Sequence, residues 1–179
     1  MTGVAVRRAE PDDFDAWFEL FDEVAKEGRW IGSDGPQDRE VRQRRFLRHL
    51  DDDQTATFLV ELDGQLVGEL SVFASGGVAD LGMLVRDGHR GQGVGSALMA
   101  SCIEWCRAAP VHKIALEVFP HNAAGLALYR SFGFEVEGRR VRHHRRASGQ
   151  LWDSIVMGLV LDESSPGCPY DDVAGDPGR

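Results

Sequence analysis

The chain has 179 residues, and 42% of them are hydrophobic, which is enough for one globular domain with a buried core. Its formal net charge of −9 argues against generic binding to nucleic acid or to an anionic membrane, because both depend on clustered positive charge. The longest apolar run, 155–161, is far shorter than the roughly 20 residues of a membrane span, and the first residues lack the apolar region of a signal peptide. Three cysteines without a framework spacing favour reduced thiols, so we expect a cytoplasmic protein.

Hydrophobic periodicity and turn residues predict seven strands and four helices without an interdomain linker. The predicted strands cover residues 4–8, 55–62, 65–73, 78–85, 113–118, 134–146 and 151–161. The predicted helices are one from Pro11 to Val24, one over 38–50, one that carries Val94 to Trp105, and one over 122–132. Between two of the strands, Asp63-Gly64 predicts a hairpin, because both turn positions favour positive φ.

The element order β-α-α-β-β-β-α-β-α-β-β predicts an α/β fold with a mixed, mainly antiparallel sheet flanked by helices. We expect this domain to span residues 1–161. Residues 162–179 hold five acidic residues, three prolines and almost no large apolar side chain. Such a segment buries too little surface to offset its ordering entropy, so we expect a disordered tail.

The most informative segment is Arg90-Gly91-Gln92-Gly93-Val94-Gly95-Ser96, between an apolar strand and an amphipathic helix. Glycines let backbone N–H groups approach a ligand without an intervening Cβ. The N–H groups that open a helix favour an anion such as a pyrophosphate, and Arg90 can add a charge-assisted contact. The segment therefore predicts an anion site rather than a plain turn.

Two other phosphate-binding motifs fit this segment less well. A Walker loop needs Gly-Lys-Ser/Thr after four intervening residues, and the segment has none. A dinucleotide fingerprint would find its first two glycines at Gly91 and Gly93, but its third falls on Ser96. Its acidic residue would be Glu117, later than the expected spacing of about 20 residues.

The chain contains two motifs that resemble those of the Gcn5-related N-acetyltransferase (GNAT) superfamily and follow each other in the same order. Together with the order of the predicted elements, the resemblance covers roughly residues 4–161. The coenzyme A motif of that family corresponds to Arg90-Gly-Gln-Gly93-Val-Gly95. A downstream motif corresponds to Asn122, Gly125, Leu128, Tyr129, Gly133 and Phe134. The segments Glu137-Gly138-Arg139, Asp153 and 155–159 are similar to the branch of ribosomal-protein N-terminal, spermidine and some amino-acid acetyltransferases.

The resemblance implies an acyl-CoA N-acyltransferase fold and direct transfer of acetyl from acetyl-CoA to a primary amine in a ternary complex. The acceptor would be an amino acid or derivative, a small polyamine-like amine, or a protein N-terminus. No metal, nucleic acid or membrane is implied, and a homodimer is left open. From the chemistry of the residues alone, an acetyl-CoA-binding module without turnover and a nicotinamide-dependent oxidoreductase remain alternatives.

The resemblance also implies roles for single residues on the coenzyme side. Leu84 and Val85 would supply the backbone N–H that stabilises the oxyanion and would pair with the pantetheine arm. The loop from Arg90 to Ser96 would bind the pyrophosphate. Asn122 would contact pantetheine, although it is also a natural N-cap. Tyr129 would bind the coenzyme and act as the general acid that protonates the leaving thiolate, unless it is only a core aromatic.

The acceptor side is predicted from fewer residues. Asp80 matches a position where some members carry an acid and is the candidate catalytic base, with a solvated turn carboxylate as its alternative. Glu27, Arg29 and Trp30 lie in a loop where the family shapes its acceptor pocket. There Glu27 could bind a cationic amine and Arg29 an acceptor carboxylate, with solvated surface side chains as the alternative for both.

Two further patterns have plain structural interpretations. Cys102 and Cys106 lie on an apolar helix, so we expect buried small hydrophobes rather than metal ligands. The basic run from Arg139 to Arg146 would alternate between the faces of a strand, which favours a solvated hairpin. Contact of that run with an acidic acceptor or with the acidic tail is the alternative.

Overall fold

The computed structural model describes residues 4–162, which form one seven-stranded sheet with helices on both faces. The strands are β1 (Val6–Arg8), β2 (Thr55–Leu62), β3 (Gln65–Ser75), β4 (Val78–Val85), β5 (Lys113–Val118), β6 (Glu135–Arg145) and β7 (Leu151–Val160). The helices are α1 (Phe14–Lys26), α2 (Arg39–Leu50), α3 (Val94–Ala108) and α4 (Ala123–Ser131), and a 3₁₀ turn (Pro11–Asp13) precedes α1.

The sheet has the order β1-β2-β3-β4-β5-β7-β6, and within it only β4 and β5 run parallel. The predicted mixed, mainly antiparallel α/β architecture is therefore confirmed. The predicted tail over 162–179 lies outside the described residues from position 163 onward. None of the helices in the part described is long and apolar enough to cross a membrane.

The single parallel pair determines where a cleft can open. β4 and β5 pair only from Val78–Lys113 to Leu81–Leu116, whereas β4 stays paired with β3 as far as Val85. Beyond Leu81 the two parallel strands separate. The last residues of β4 therefore have a free edge on their β5 side.

Two apolar clusters hold the helices on the sheet. One packs α3 and α4 against one face and includes Leu98, Met99 and Tyr129. The other packs α1 and α2 against the opposite face and includes Trp17, Phe46 and Leu84. Near its separation from β5, β4 contributes Leu84 to this second cluster.

The last hairpin departs from a regular ladder. Arg140 pairs with Ser154 and His144 with Trp152, so β6 has two more residues than β7 between these pairs. Arg142 has a positive φ of 52° in this bulge, and its N–H donates to Asp153 Oδ1 (2.6 Å). The predicted strict alternation of the basic run is therefore wrong, because the bulge resets which face each side chain takes.

Candidate functional site

A cleft of about 740 Å³ opens where β4 and β5 separate. Its walls come from the end of β4, the 89–96 loop, the start of α4, the end of β5 and the loop after α1. The residues predicted for the site that line it are Trp30, Leu84, Val85, Arg90, Gly91, Gly93, Gly95, Ser96, Asn122 and Tyr129. The structure thus brings ten of the predicted residues together.

The glycine loop forms an open cradle at the start of α3. Gly91 and Gly93 have φ values of 74° and 88°, and a Cβ at either position would meet nothing within 4 Å. The first helical bond of α3 runs from Ala97 N–H to the Gly93 carbonyl, so the N–H groups of its first turn have no acceptor within the helix. Gly95 serves packing as well, because its Cβ would lie 3.0 Å from Leu128 on α4.

The side chains of Gln92 and Val94 do not line the cleft. Gln92 Nε2 donates to the Gly88 carbonyl (2.7 Å) and stabilises the loop, and Val94 is buried in the core. These two residues can reach a ligand only through their backbone N–H groups.

The free edge of β4 presents backbone groups to the cleft. Arg86 N–H donates to the Val67 carbonyl in β3 (2.8 Å). Because successive N–H groups of a strand point to opposite sides, the Val85 N–H points away from β3, toward the gap left by β5. The Val85 carbonyl accepts from Arg90 Nε (3.0 Å), which joins this edge to the glycine loop.

Tyr129 of α4 and Asn122, the residue before this helix, line the cleft from the other wall. The Asn122 carboxamide oxygen accepts from Gly125 N–H (2.9 Å), so the predicted N-cap is confirmed. Tyr129 is 7% exposed, and burial raises the pKa of its phenol to about 12. The phenol therefore keeps its proton at neutral pH.

The loop after α1 contributes less than predicted. Glu27 and Arg29 do not line the cleft, whereas Trp30 does. The Glu27 carboxylate binds Arg90, with one nitrogen at 2.9 Å, and accepts from Trp30 Nε1 (2.5 Å). Burial raises the pKa of Glu27, but these hydrogen bonds outweigh burial and the pKa lies below its usual value.

The structure does not bring Asp80 to the cleft. Asp80 is exposed in the paired part of β4, opposite Ala115 of β5 and Phe73 of β3. It lies before the point where the strands separate. The carboxylate that does line the cleft is Glu117, near the end of β5.

Sequence reasoning gave Glu117 no role in an acyl-transfer site. Its carboxylate accepts from Ser154 Oγ (2.6 Å) and contacts Arg140 Nη1 (2.6 Å) and His144 Nε2 (3.3 Å). Burial raises its pKa, but the contacts with Ser154, His144 and Arg140 lower it by more, so Glu117 is ionised at neutral pH. Its place at the end of a strand was visible in the sequence, but these partners were not.

Glu117, His143 and His144 also form the one group in residues 4–162 whose ligand atoms all lie close enough, within 4.8 Å, to hold a metal. Arg140 already occupies one oxygen of Glu117, so the group is an ion-pair network in this structure. The expectation that no metal takes part stays a prediction.

A buried arginine fixes the wall beside Glu117. Arg146 is 3% exposed, lies over the rings of Trp152 (4.4 Å) and Phe119 (5.1 Å), and donates to the carbonyls of Ile31 (3.0 Å) and Gly32 (3.1 Å). Its Nε also lies 3.0 Å from Asp34 Oδ2. The predicted solvated hairpin is therefore wrong at Arg146, which holds the loop after α1 against the β6–β7 hairpin.

The two helix cysteines have the predicted environment. Cys102 and Cys106 are free, fully buried residues on the sheet-facing side of α3. The interpretation as small core hydrophobes is confirmed. Cys168 lies outside the described residues.

Comparison with known proteins identifies the family. The model of the acetyltransferase (GNAT) family matches residues 14–134. The chain belongs to the GNAT family. It is 30% identical over 167 residues to the L-amino acid N-acetyltransferase AaaT of Escherichia coli, covering 89% of this chain and 99% of that one.

Solved structures agree with this assignment. A ribosomal-protein-alanine N-acetyltransferase from Brucella melitensis has a TM-score of 0.81 at 27% identity, over 88% of this chain and all of that one. A putative acetyltransferase from Salmonella typhimurium, solved with acetyl-CoA, shares the fold with a TM-score of 0.80 at 22% identity, over 93% and 99% of the chains. This GNAT chain is an acetyl-CoA-dependent acyltransferase. The alternative of a nicotinamide-dependent oxidoreductase is therefore rejected.

Proposed function

We propose that the chain transfers acetyl from acetyl-CoA to a primary amine by direct attack within a ternary complex in the 740 Å³ cleft. The observation that carries the proposal is the convergence of three elements on one space. These elements are the glycine cradle of α3, the free edge of β4 and the Tyr129 phenol. Each meets a different chemical requirement of thioester aminolysis.

The cradle would hold the pyrophosphate of the coenzyme. Gly91 and Gly93 keep the approach to the first turn of α3 free of side chains, and the unpaired N–H groups there favour negative charge. Arg90 would add a guanidinium, since it lines the cleft beside these glycines. The pantetheine arm would then lie along the β4 edge and pass Asn122.

The edge of β4 and Tyr129 would serve the reacting atoms. The Val85 N–H points into the gap and can stabilise the oxyanion that develops on the thioester carbonyl. Tyr129, protonated at neutral pH, can give its proton to the departing thiolate. In this proposal both groups would be in place before substrate binds, which would limit the reorganisation needed during the reaction.

The acceptor is a small amine or a peptide N-terminus in this proposal. One relative is named for L-amino acids and one structural neighbour for the alanine of a ribosomal protein. A cytoplasmic location, a homodimer and the absence of nucleic acid from the reaction remain predictions.

The test combines calorimetry with a thiol-release assay. We expect Gly93→Asp to weaken acetyl-CoA binding about 100-fold, or about 2.7 kcal/mol, because it puts a carboxylate into the anion cradle. Gly149→Asp is the matched control, since Gly149 also has a positive φ (84°) and open space around it but lies in the β6–β7 turn. An unchanged dissociation constant for Gly93→Asp would contradict the placement. If the chain binds acetyl-CoA but no amine causes thiol release, the proposed transfer is wrong and the chain is an acetyl-CoA-binding module without turnover.

A further inference from the structure

A second cavity, of about 400 Å³, lies on the opposite side of β4 from α3, between the sheet and helices α1 and α2. It shares Ile31, Gly32 and the β4 residues 82–84 with the 740 Å³ cleft. The two spaces therefore meet where β4 has left β5, next to the backbone groups proposed to face the thioester.

Gly82 keeps this junction open. It pairs with Ser71 of β3, and a Cβ built on it would meet nothing within 4 Å. Its backbone has no positive φ, so the missing side chain is not required by the local conformation. What the glycine provides at this position is space.

A buried acid lines the second cavity without a cation to balance it. Glu69 of β3 is 4% exposed, and no Lys, Arg or His in residues 4–162 forms an ion pair with it. Its carboxyl accepts from Ser71, whose hydroxyl lies 3.2 Å from Thr57 Oγ1. Burial raises the pKa of Glu69 to about 7, although Ser71 and the nearby Trp17 indole act in the opposite direction.

The α2 wall of the same cavity carries cations without carboxylates. Within residues 4–162, the side-chain hydrogen bonds of Arg42 go to neutral partners, Gln37 Oε1 (3.0 Å) and Ser33 Oγ (3.0 Å), and its guanidinium lies over the Phe21 ring. Arg45 lines the cavity and has no ion pair within residues 4–162. Burial and the neighbouring Arg45 lower the pKa of Arg42.

The cavity therefore has a buried carboxyl on its sheet side and, on its α2 side, two guanidinium groups that form no ion pair within residues 4–162. A molecule that carries an ammonium and an anionic group would compensate both. Its ammonium would lie on the sheet side of the cavity, toward the junction, and its anion on the α2 side.

We propose that this cavity is the acceptor site, that it takes an amine bearing an anionic group such as an α-amino acid, and that Glu69 receives the ammonium while Arg42 and Arg45 bind the anion. This inference rests on the proposed acetyl transfer. Among the small amines and peptide N-termini proposed as acceptors, it favours amines that also carry a carboxylate.

The acceptor ammonium loses a first proton to the Glu69 carboxylate, and the nitrogen lone pair then attacks the thioester carbonyl. The C–N bond forms and the C–S bond breaks, so the electron pair leaves on sulfur. Tyr129 gives its proton to that thiolate, and the second proton lost by the nitrogen restores the phenol. Glu69 releases its proton to solvent, and no other reactant is needed.

The charged groups that face Glu69 across the cavity are Arg42, Arg45 and His49, all from α2. Helix α1 contributes only Trp17 and Phe21 to the lining, and the sheet contributes hydroxyls. Burial lowers the pKa of His49, so this side chain is neutral at pH 7 and above. Glu69 is therefore the group of this cavity whose charge changes near neutral pH.

The first experiment screens the twenty L-amino acids by thiol release, then compares the best one with its methyl ester and its decarboxylated amine. We expect kcat/KM to fall at least 100-fold when the carboxylate is absent. Arg45→Met, at an exposed position, should raise KM for the amino acid about 10-fold and leave KM for the decarboxylated amine unchanged. The control is Arg44→Met, on α2 but outside the cavity lining.

The second experiment tests the proton acceptor. Glu69→Gln should lower kcat by 100-fold or more at pH 7, with unchanged affinity for acetyl-CoA. The difference in kcat between variant and wild type should shrink as the pH approaches the pKa of the free amine, because the amine then loses its proton without a base. Gly82→Leu should block the junction and abolish turnover; because Gly82 also lines the 740 Å³ cleft, the acetyl-CoA dissociation constant of this variant is measured by calorimetry in parallel.

Equal rates for the amino acid and its decarboxylated amine would overturn the inference while the proposed acetyl transfer stands. The same holds if only peptide N-termini react, or if Glu117→Gln rather than Glu69→Gln gives the pH-dependent loss. Absence of transfer to every amine would instead contradict the proposed function itself.

Discussion

The unusual protonation of Glu69 predicts a stability effect that can be measured without any substrate. Glu69→Gln replaces the carboxyl by a neutral group of nearly the same shape, whose oxygen can still accept from Ser71. At low pH the wild-type side chain is itself neutral. The variant therefore isolates the cost of charging a carboxyl in this cavity.

The sign and size follow from the two pKa values. Glu69 has a pKa of about 7 when folded, against 4.5 for an ordinary glutamate. Between these values the folded state binds the proton more tightly, so the wild type loses stability as pH rises from 4.5 through 7. At 1.36 kcal/mol per unit, the loss above pH 7 approaches about 3 kcal/mol.

Urea unfolding at pH 5, 6, 7 and 8 measures this difference. We expect Glu69→Gln to be more stable than the wild type by about 1 kcal/mol at pH 5 and by about 3 kcal/mol at pH 8, as orders of magnitude, so that the difference grows as pH rises. Contributions from His49 occur in both proteins and cancel in the comparison. Glu117→Gln is the control of opposite sign, because the folded pKa of Glu117 is lowered and its removal destabilises at neutral pH. A pH-independent difference for Glu69→Gln would refute the reasoning.

Three further predictions concern other parts of the chain. Arg146→Ala should lower the unfolding free energy by about 3–5 kcal/mol, because it removes a buried guanidinium that bonds two carbonyls and pairs with the half-buried Asp34 carboxylate. The exposed neighbour variant Arg145→Ala should change it by less than about 0.5 kcal/mol. Tyr129→Phe should lower kcat by about 10²- to 10⁴-fold with the acetyl-CoA dissociation constant unchanged by calorimetry, and an undiminished kcat would remove its role as acid. Gly68→Ala should destabilise by about 1–3 kcal/mol, since its Cβ would overlap Val94 of α3. Gly82→Ala, with free space around its Cβ, is the control, and equal losses in both variants would show that α3 can shift.

The fold was predictable from the sequence because its signals are local. Hydrophobic periodicity, the Asp63-Gly64 turn and the Asn122 cap each depend on residues a few positions apart, and the structure has each feature at the predicted place. The bulge in β6 was not predictable in this way. It depends on Asp153, eleven residues after Arg142, whose carboxylate accepts the N–H that the ladder leaves free.

The glycine loop beside the cleft was predictable for the same reason, and the contacts that build the opposite wall were not. The cradle consists of backbone N–H groups within one short segment, so glycine spacing alone indicates it. Arg146 and Asp34, by contrast, are more than a hundred residues apart in sequence and meet only when the hairpin folds over the loop after α1. A basic run in a sequence does not show that one of its members is buried.

The glycine loop presents backbone groups and the second cavity presents side chains, so substitutions can affect the two sites separately. Backbone N–H groups are the same whatever the side chain, so most substitutions on the acceptor side leave the coenzyme cradle intact. The acceptor cavity depends instead on the side chains of Glu69, Arg42 and Arg45, which come from β3 and α2 and make no contact with the glycine loop among the described hydrogen bonds and ion pairs. Exchanging these three residues should therefore change which amine reacts while the affinity for acetyl-CoA stays constant. The affinity for acetyl-CoA and the affinity for the amine can change separately because the two cavities meet only at a short stretch of β4.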